Sequence, residues 1–201
     1  GPAAGDIEAY ADRVIEHLAG LGFKGFRCDA AYQIPLDVWR RSIERARARH
    51  PGVVFAAETL GCPADLTREC ARCGFDWVFN SSKWWDFHSP WLMEQYDLIR
   101  ETCRSIGFPE SHDTPRLWEE SGGNLAAMKQ RYLFAALFSA GVMMPVGYEF
   151  GFRKRLHVVE TRPEDWETPS ADLTGFVRAV NELKRTHPVF NEECPTHVLP
   201  N

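Results

Sequence analysis

The chain predicts an α/β fold, a partial (β/α)8 TIM barrel made of strands four to eight with their helices. Three observations carry this. Strand-like segments alternate with amphipathic helical stretches about five times along the 201 residues. Val53–Ala57 is an unbroken apolar run, as expected of a parallel strand covered on both faces. Three strand-like segments also run into carboxylates: Gly25-Phe26-Arg27-Cys28-Asp29, Val53-Val54-Phe55-Ala56-Ala57-Glu58 and Phe108-Pro109-Glu110-Ser111-His112-Asp113. In a parallel barrel the carboxyl ends of the strands converge on the face that holds the chemistry. A closed eight-stranded barrel takes about 250 residues, so five units are its second half and more. An open sheet of five parallel strands is the alternative, with binding at the same edge.

The elements follow in order. Gly1-Pro2 reads as a tag remnant, and residues 1–5 as a lead-in outside the fold, with 6–201 the C-terminal part of the barrel. Asp6 is the expected N-cap of a helix carrying Ile7, Ala11, Val14, Ile15 and Leu18, and Gly20 and Gly22 end it. Phe23–Asp29 is a strand. Leu36–Arg49 is a helix with Val38, Ile43 and Ala46 inward, stopped by His50-Pro51-Gly52. Val53–Ala57 is the next strand, followed by a short helix over Asp65–Cys73 and a strand over Phe75–Phe79. Trp91–Ile106 reads as a helix and Phe108–Ser111 as a short strand. Asn124–Ser139 is an apolar helix, Val142–Val146 a strand, and Asp172–Thr186 a last amphipathic helix with Leu173, Phe176, Val177, Val180 and Leu183 inward. No fixed-period repeat and no linker divides the chain into two domains.

Composition excludes several classes of function. The net charge of −5 and the lack of a basic stripe argue against a nucleic-acid groove. No apolar run reaches the roughly 18 residues of a membrane span; the oiliest stretch, Tyr132–Val146, is broken by Ser139 and Gly141. Cys70-x-x-Cys73 has no second ligand pair at metal spacing and ends a helix rather than starting one, so neither metal nor redox chemistry is expected of it. Six scattered cysteines suit a reducing compartment, hence the cytoplasm.

The segments above resemble the α-amylase family of glycoside hydrolases. Gly25-Phe26-Arg27-Cys28-Asp29-Ala30-Ala31 is similar to its G-F-R-x-D segment, and Phe55-Ala56-Ala57-Glu58-Thr59 to the segment ending in its acid. Ser111-His112-Asp113-Thr114 is similar to its later H-D segment. Gly141–Gly147 followed by Tyr148-Glu149-Phe150-Gly151 is similar to its last strand end. The match covers most of the chain, in the family's order.

The resemblance implies a role for each residue. Asp29 is the expected nucleophile, forming a covalent glycosyl-enzyme. Glu58 is the expected general acid and then base, and Asp113 the group that holds sugar hydroxyls and stabilises the oxocarbenium-like transition state. Arg27, on the same strand face as Asp29, is expected to keep that carboxylate ionised, while Glu58 follows an apolar strand with no neighbouring cation. A retaining pair needs one ionised and one protonated carboxyl about 5–5.5 Å apart. His112 is expected to bond sugar hydroxyls, and Tyr32, Trp84 and Trp85, with Phe87, to stack on a glucan. Lys83 and Tyr148 are weaker candidates. Blander roles compete: a surface ion pair for Arg27–Asp29, a helix cap for Glu58, a turn for Asp113 before Thr114-Pro115, a structural histidine. Glu110 rivals Asp113 as the third acid, and Asn80-Ser81-Ser82 fits a glycosylation pattern by coincidence.

The implied function is a retaining glycoside hydrolase acting on α-1,4-linked glucans or malto-oligosaccharides, with no cofactor, no metal, no nucleic acid and no membrane. The alternative is an α-glucan transglycosylase of glucanotransferase or maltosyltransferase type. Further alternatives are a non-catalytic barrel fragment and an unrelated barrel with carboxylates on a divalent metal. The resemblance implies that the family's asparagine–histidine segment on strand three would lie before residue 1, and the C-terminal β-sandwich common in the family is not expected within these residues. The chain is therefore expected to lack the N-terminal half of the barrel as a partner, and to be weak or inactive alone.

Overall fold

The structure, a computed structural model, describes residues 2–199. Five short parallel strands come in chain order: β1 (Gly25–Cys28), β2 (Val54–Ala57), β3 (Trp77–Phe79), β4 (Arg104–Gly107) and β5 (Gly141–Val142). Among the described residues seven α-helices accompany them: α1 (Pro2–Gly20), α2 (Leu36–Arg49), α3 (Ala64–Ala71), α4 (Trp91–Arg100), α5 (Leu117–Glu120), α6 (Leu125–Phe138) and α7 (Thr174–Thr186). This is the expected parallel α/β class. The chain forms two compact units, Gly1–Phe79 with Met93–Arg104, and Asn80–Leu92 with Ser105–Asn201.

In the first unit β1 pairs with β2 in the register Phe26↔Phe55 and Cys28↔Ala57, and β2 with β3 through Ala56↔Trp77. Phe55, Ala57, Val78 and Ile99 are buried, with Ile43 and Ala46 of α2, one helical turn apart, in the same core. The rings of Phe26 and Phe55 stack at 5.5 Å. Helix α2 spans the expected residues. Its arginines bond the acids of α1 in a ladder: Arg41 and Arg45 to Glu8, Arg45 to Asp12, and Arg49 to Glu16. Helix α1 begins at Pro2, so Asp6 lies inside it and is not its cap; Gly1 lies outside the described residues.

In the second unit β4 pairs with β5 through Ile106↔Gly141 and Gly107↔Val142. Tyr132, Ala136, Tyr148, Leu173, Val177 and Val180 form its core, under α6 and α7. Asn124 caps α6 by accepting the N–H groups of Ala126 and Ala127. At the start of the two strands, Glu193 Oε1 accepts the N–H of Ser105 at 2.7 Å and that of Ala140 at 3.1 Å.

Strand β4 is where expectation and structure part. The strand is Arg104–Gly107, not Phe108–Ser111, and α4 stops at Arg100. Ile99, Cys103 and Ile106 continue a helical spacing on paper, which hides the break. Gly107 shows why the strand lies there: a Cβ at this position would sit 2.6 Å from the Ala135 carbonyl oxygen of α6, so only glycine admits that approach. Strand β5 is also shorter than Val142–Val146; pairing ends with Met143 N–H on Gly107 O, two residues before Pro145. Leu183 of α7 is exposed rather than inward.

Candidate active site

In the first unit, Asp29 and Glu58 each follow the last residue of their strand, and the ladder continues beneath them. Glu58 N–H donates to Cys28 O at 2.9 Å, and Ala31 N–H to Glu58 O at 3.1 Å. Neighbouring strands lie about 4.8 Å apart, so consecutive strand-end acids in this register are close neighbours. The Asp29 carboxylate is 77 % exposed and takes Arg27 Nη1 at 2.7 Å. Arg27 also lies over the ring of Phe79, 5.6 Å from its centre.

Glu58 is buried, at 6 % exposure, and both its oxygens are held. Ala30 N–H donates to Oε2 at 2.8 Å and Leu60 N–H to Oε1 at 2.5 Å. Ala30 adopts φ +41°, a left-handed conformation that is costly for a residue with a Cβ. That turn aims its N–H at Glu58 from the position next to Asp29. Tyr32, in the following 3-10 turn, packs partly buried against the first core.

In the second unit, Asp113 is six residues beyond β4, its carboxylate 62 % exposed and 3.0 Å from His112 Nε2. Both line a cleft of about 770 Å3, together with Lys154, Arg155, His157 and Glu160. That volume suits a ligand of a few sugar rings in scale. Arg155 Nη2 donates to Asp113 O at 2.8 Å, Lys154 pairs with Asp165, and Glu167 accepts Lys154 N–H at 2.7 Å. The Lys154–Thr161 wall has no strand or helix period and escaped sequence reasoning; the triplet Arg153-Lys154-Arg155 was its one signal.

Several expected contacts, Trp84 excepted, are structural instead. Trp84 is 45 % exposed and set edge-on to Phe108, and so remains open to a stacking partner. Trp85 is wholly buried among Trp91, Phe134 and Phe138, which rules out stacking on a sugar. Phe87 packs edge-on with Phe134, and Arg131 lies over its ring. Lys83 is buried and paired with Glu120, and Tyr148 donates its hydroxyl to Met128 O. Glu110 does not compete with Asp113: it is buried and bonded to Arg116. The Asn80 amide is enclosed, donating to the hydroxyls of Ser105 and Ser139. Burial pushes the thiol of Cys70 up to about 12, with the neighbouring Cys62, Cys73 and Glu69 adding to it, a poor state for a metal ligand.

No protein-family model matches the chain. It is 30% identical over 185 residues to an α-1,4-glucan:maltose-1-phosphate maltosyltransferase of Burkholderia pseudomallei, a match spanning 86% of this chain and 16% of that protein. An enzyme of the same name from Bifidobacterium animalis subsp. lactis is 24% identical, over 97% of this chain and 28% of its own length. An α-amylase structure from Lactobacillus plantarum superposes with a TM-score of 0.77 at 16% identity, over 96% of this chain and 51% of that one. The chain has the α-amylase fold. A cyclic α-maltosyl-(1→6)-maltose hydrolase from Arthrobacter globiformis, in complex with maltose, shares the fold at a TM-score of 0.72 and 17% identity, over 94% of this chain and 46% of its own. The fold is thus a partial (β/α)8 barrel of the α-amylase family. The chain spans less than a third of the curated relatives and about half of these solved ones.

Proposed function

We propose that this segment carries the acids of a retaining α-glucan-active enzyme: Asp29 as nucleophile, Glu58 as acid and then base, and Asp113 as the sugar-hydroxyl and transition-state group. One observation carries the reading. The Glu58 carboxylate is fixed by the N–H of the residue next to Asp29, on strands whose pairing runs on past both acids. Preorganised carboxylates at adjacent parallel strand ends are what double displacement at an anomeric carbon requires. Arg27 holds Asp29, His112 reaches a sugar hydroxyl beside Asp113, and Trp84 offers a stacking face.

Both curated relatives are named as maltosyltransferases on α-1,4-glucan and maltose-1-phosphate. We therefore favour transfer: Asp29 displaces the leaving group with a proton from Glu58, and Glu58 then takes the proton of an incoming glucan hydroxyl. Hydrolysis differs only in water taking that hydroxyl's place. Residues 6–201 are read as catalytic barrel. The described cysteines are all free thiols, which favours a reducing compartment, and none of the described helices is long and apolar enough to cross a membrane. Product analysis of the active protein carrying this segment, with maltose-1-phosphate and with or without a malto-oligosaccharide acceptor, separates the two reactions. Asp29→Ala must abolish both without unfolding the protein; retained turnover excludes the nucleophile role.

A further inference from the structure

The interior of the second unit holds a charge pair with no evident role in its core. Arg116 and Glu110 have side chains 3 % and 1 % exposed and meet at 2.7 Å. The guanidinium reaches two more acceptors, Val146 O at 2.9 Å and Lys154 O at 3.0 Å. The second oxygen of Glu110 accepts Leu117 N–H at 2.6 Å. Burial still pushes the Glu110 carboxyl up, against the lowering by the Leu117 and Arg116 bonds. Replacing such a pair with apolar side chains is often neutral or stabilising, so stability does not account for it.

Its placement does. Glu110 lies three residues before Asp113, and Lys154 lines the same cleft as Asp113. From Lys154 the chain leads to Arg155, which donates to Asp113 O. The contacts form a closed circuit: Glu110, Arg116, Lys154, Arg155, Asp113 and back along the chain to Glu110. Arg116 also lines a small cavity of about 50 Å3 beneath the same wall. A lysine, with one compact ammonium, cannot span three acceptors set in a fork.

We propose that Arg116 and Glu110 are positioning residues that set the Asp113 floor and the Lys154–Thr161 wall at the spacing a sugar ligand needs. The sugar rests on the function proposed above; the positioning does not. The test uses the 201-residue chain labelled at histidine. The ring resonances of His112 and His157 report the floor and the wall without ligand, and maltotriose titration reports binding. In Glu110→Leu/Arg116→Met the unfolding temperature should hold or rise, both ring resonances should move, and maltotriose affinity should fall at least tenfold. Arg116→Lys, which keeps the charge, should move the same resonances. A folded double variant with unchanged His112 and His157 resonances overturns the proposal. So does failure of both variants to fold, since that makes the pair a requirement of the core. If the unmodified 201 residues bind no maltotriose, the same titration is made on the active protein carrying this segment, where no binding sinks the glucan reading; the resonances decide the positioning in either case.

Discussion

The backbone N–H of Ala30 donates to Glu58 Oε2 at 2.8 Å from a residue turned to φ +41°. The left-handed turn after β1 thus holds the buried acid that ends β2. Ala30→Gly should relieve the turn while keeping the N–H, raising stability by about 0.5–1 kcal/mol after glycine's extra unfolded-state freedom is counted. Chemical denaturation reads this; a loss of stability would mean that Ala30 is not strained.

Glu58→Gln keeps the shape but presents one oxygen and one NH2 to two N–H donors. One backbone N–H of the Ala30 and Leu60 pair is left facing a donor. A loss of about 1–3 kcal/mol is expected on denaturation. In the active protein, turnover should fall at least a hundredfold, as expected on removal of a general acid.

At Gly107 the backbone lies against α6. Gly107→Ala places a methyl group 2.6 Å from both Ala135 O and Ser139 Oγ. Destabilisation by about 1–3 kcal/mol should follow, as for overpacking in a core. Gly175, in α7 with nothing within 4 Å of an added Cβ, is the control and should hold its stability or gain up to about 1 kcal/mol from alanine's helix preference. Equal effects at the two sites would discard the close-approach account.

Asn124→Ala removes the acceptor for two N–H groups at the start of α6 and should cost about 1 kcal/mol. Thermal unfolding checks it, and Asn124→Asp should restore the loss.

The acid ladder of α1 predicts a pH dependence. Bonds first from Arg41 and then from Arg45 lower the Glu8 carboxyl from 4.5 to about 2. A depressed folded value means that the contribution is complete above the unfolded value near 4.5 and is lost as pH falls towards 2. The stability gap between the natural chain and Glu8→Gln should therefore narrow across that window. A gap unchanged at pH 2 would show that the carboxylate charge is not what joins the helices.

The legible parts of the sequence were those with a local cause. Helix α2 ends where Arg49 meets His50-Pro51-Gly52, and β1 and β2 are apolar or alternating runs that stop at Asp29 and Glu58. What stayed hidden depends on distant partners. The sequence cannot tell Trp84 from Trp85, because burial of the second is decided by Phe134 and Phe138 some fifty residues on. Strand β4 was masked by a helical spacing that only the approach of α6 to Gly107 overrules. Glu110 and Arg116 are six residues apart on irregular chain, a separation with no periodic signature.

The bonds from Ser105 and Ala140 to Glu193 span 88 and 53 residues of sequence. While the chain is emerging from a ribosome, β4 and β5 can already pair, but the amides at their starts have no carboxylate to bond until position 193 is out. The pairing of these two strands therefore matures late in synthesis, and a chain stalled or truncated before Glu193 leaves both amides open to other acceptors.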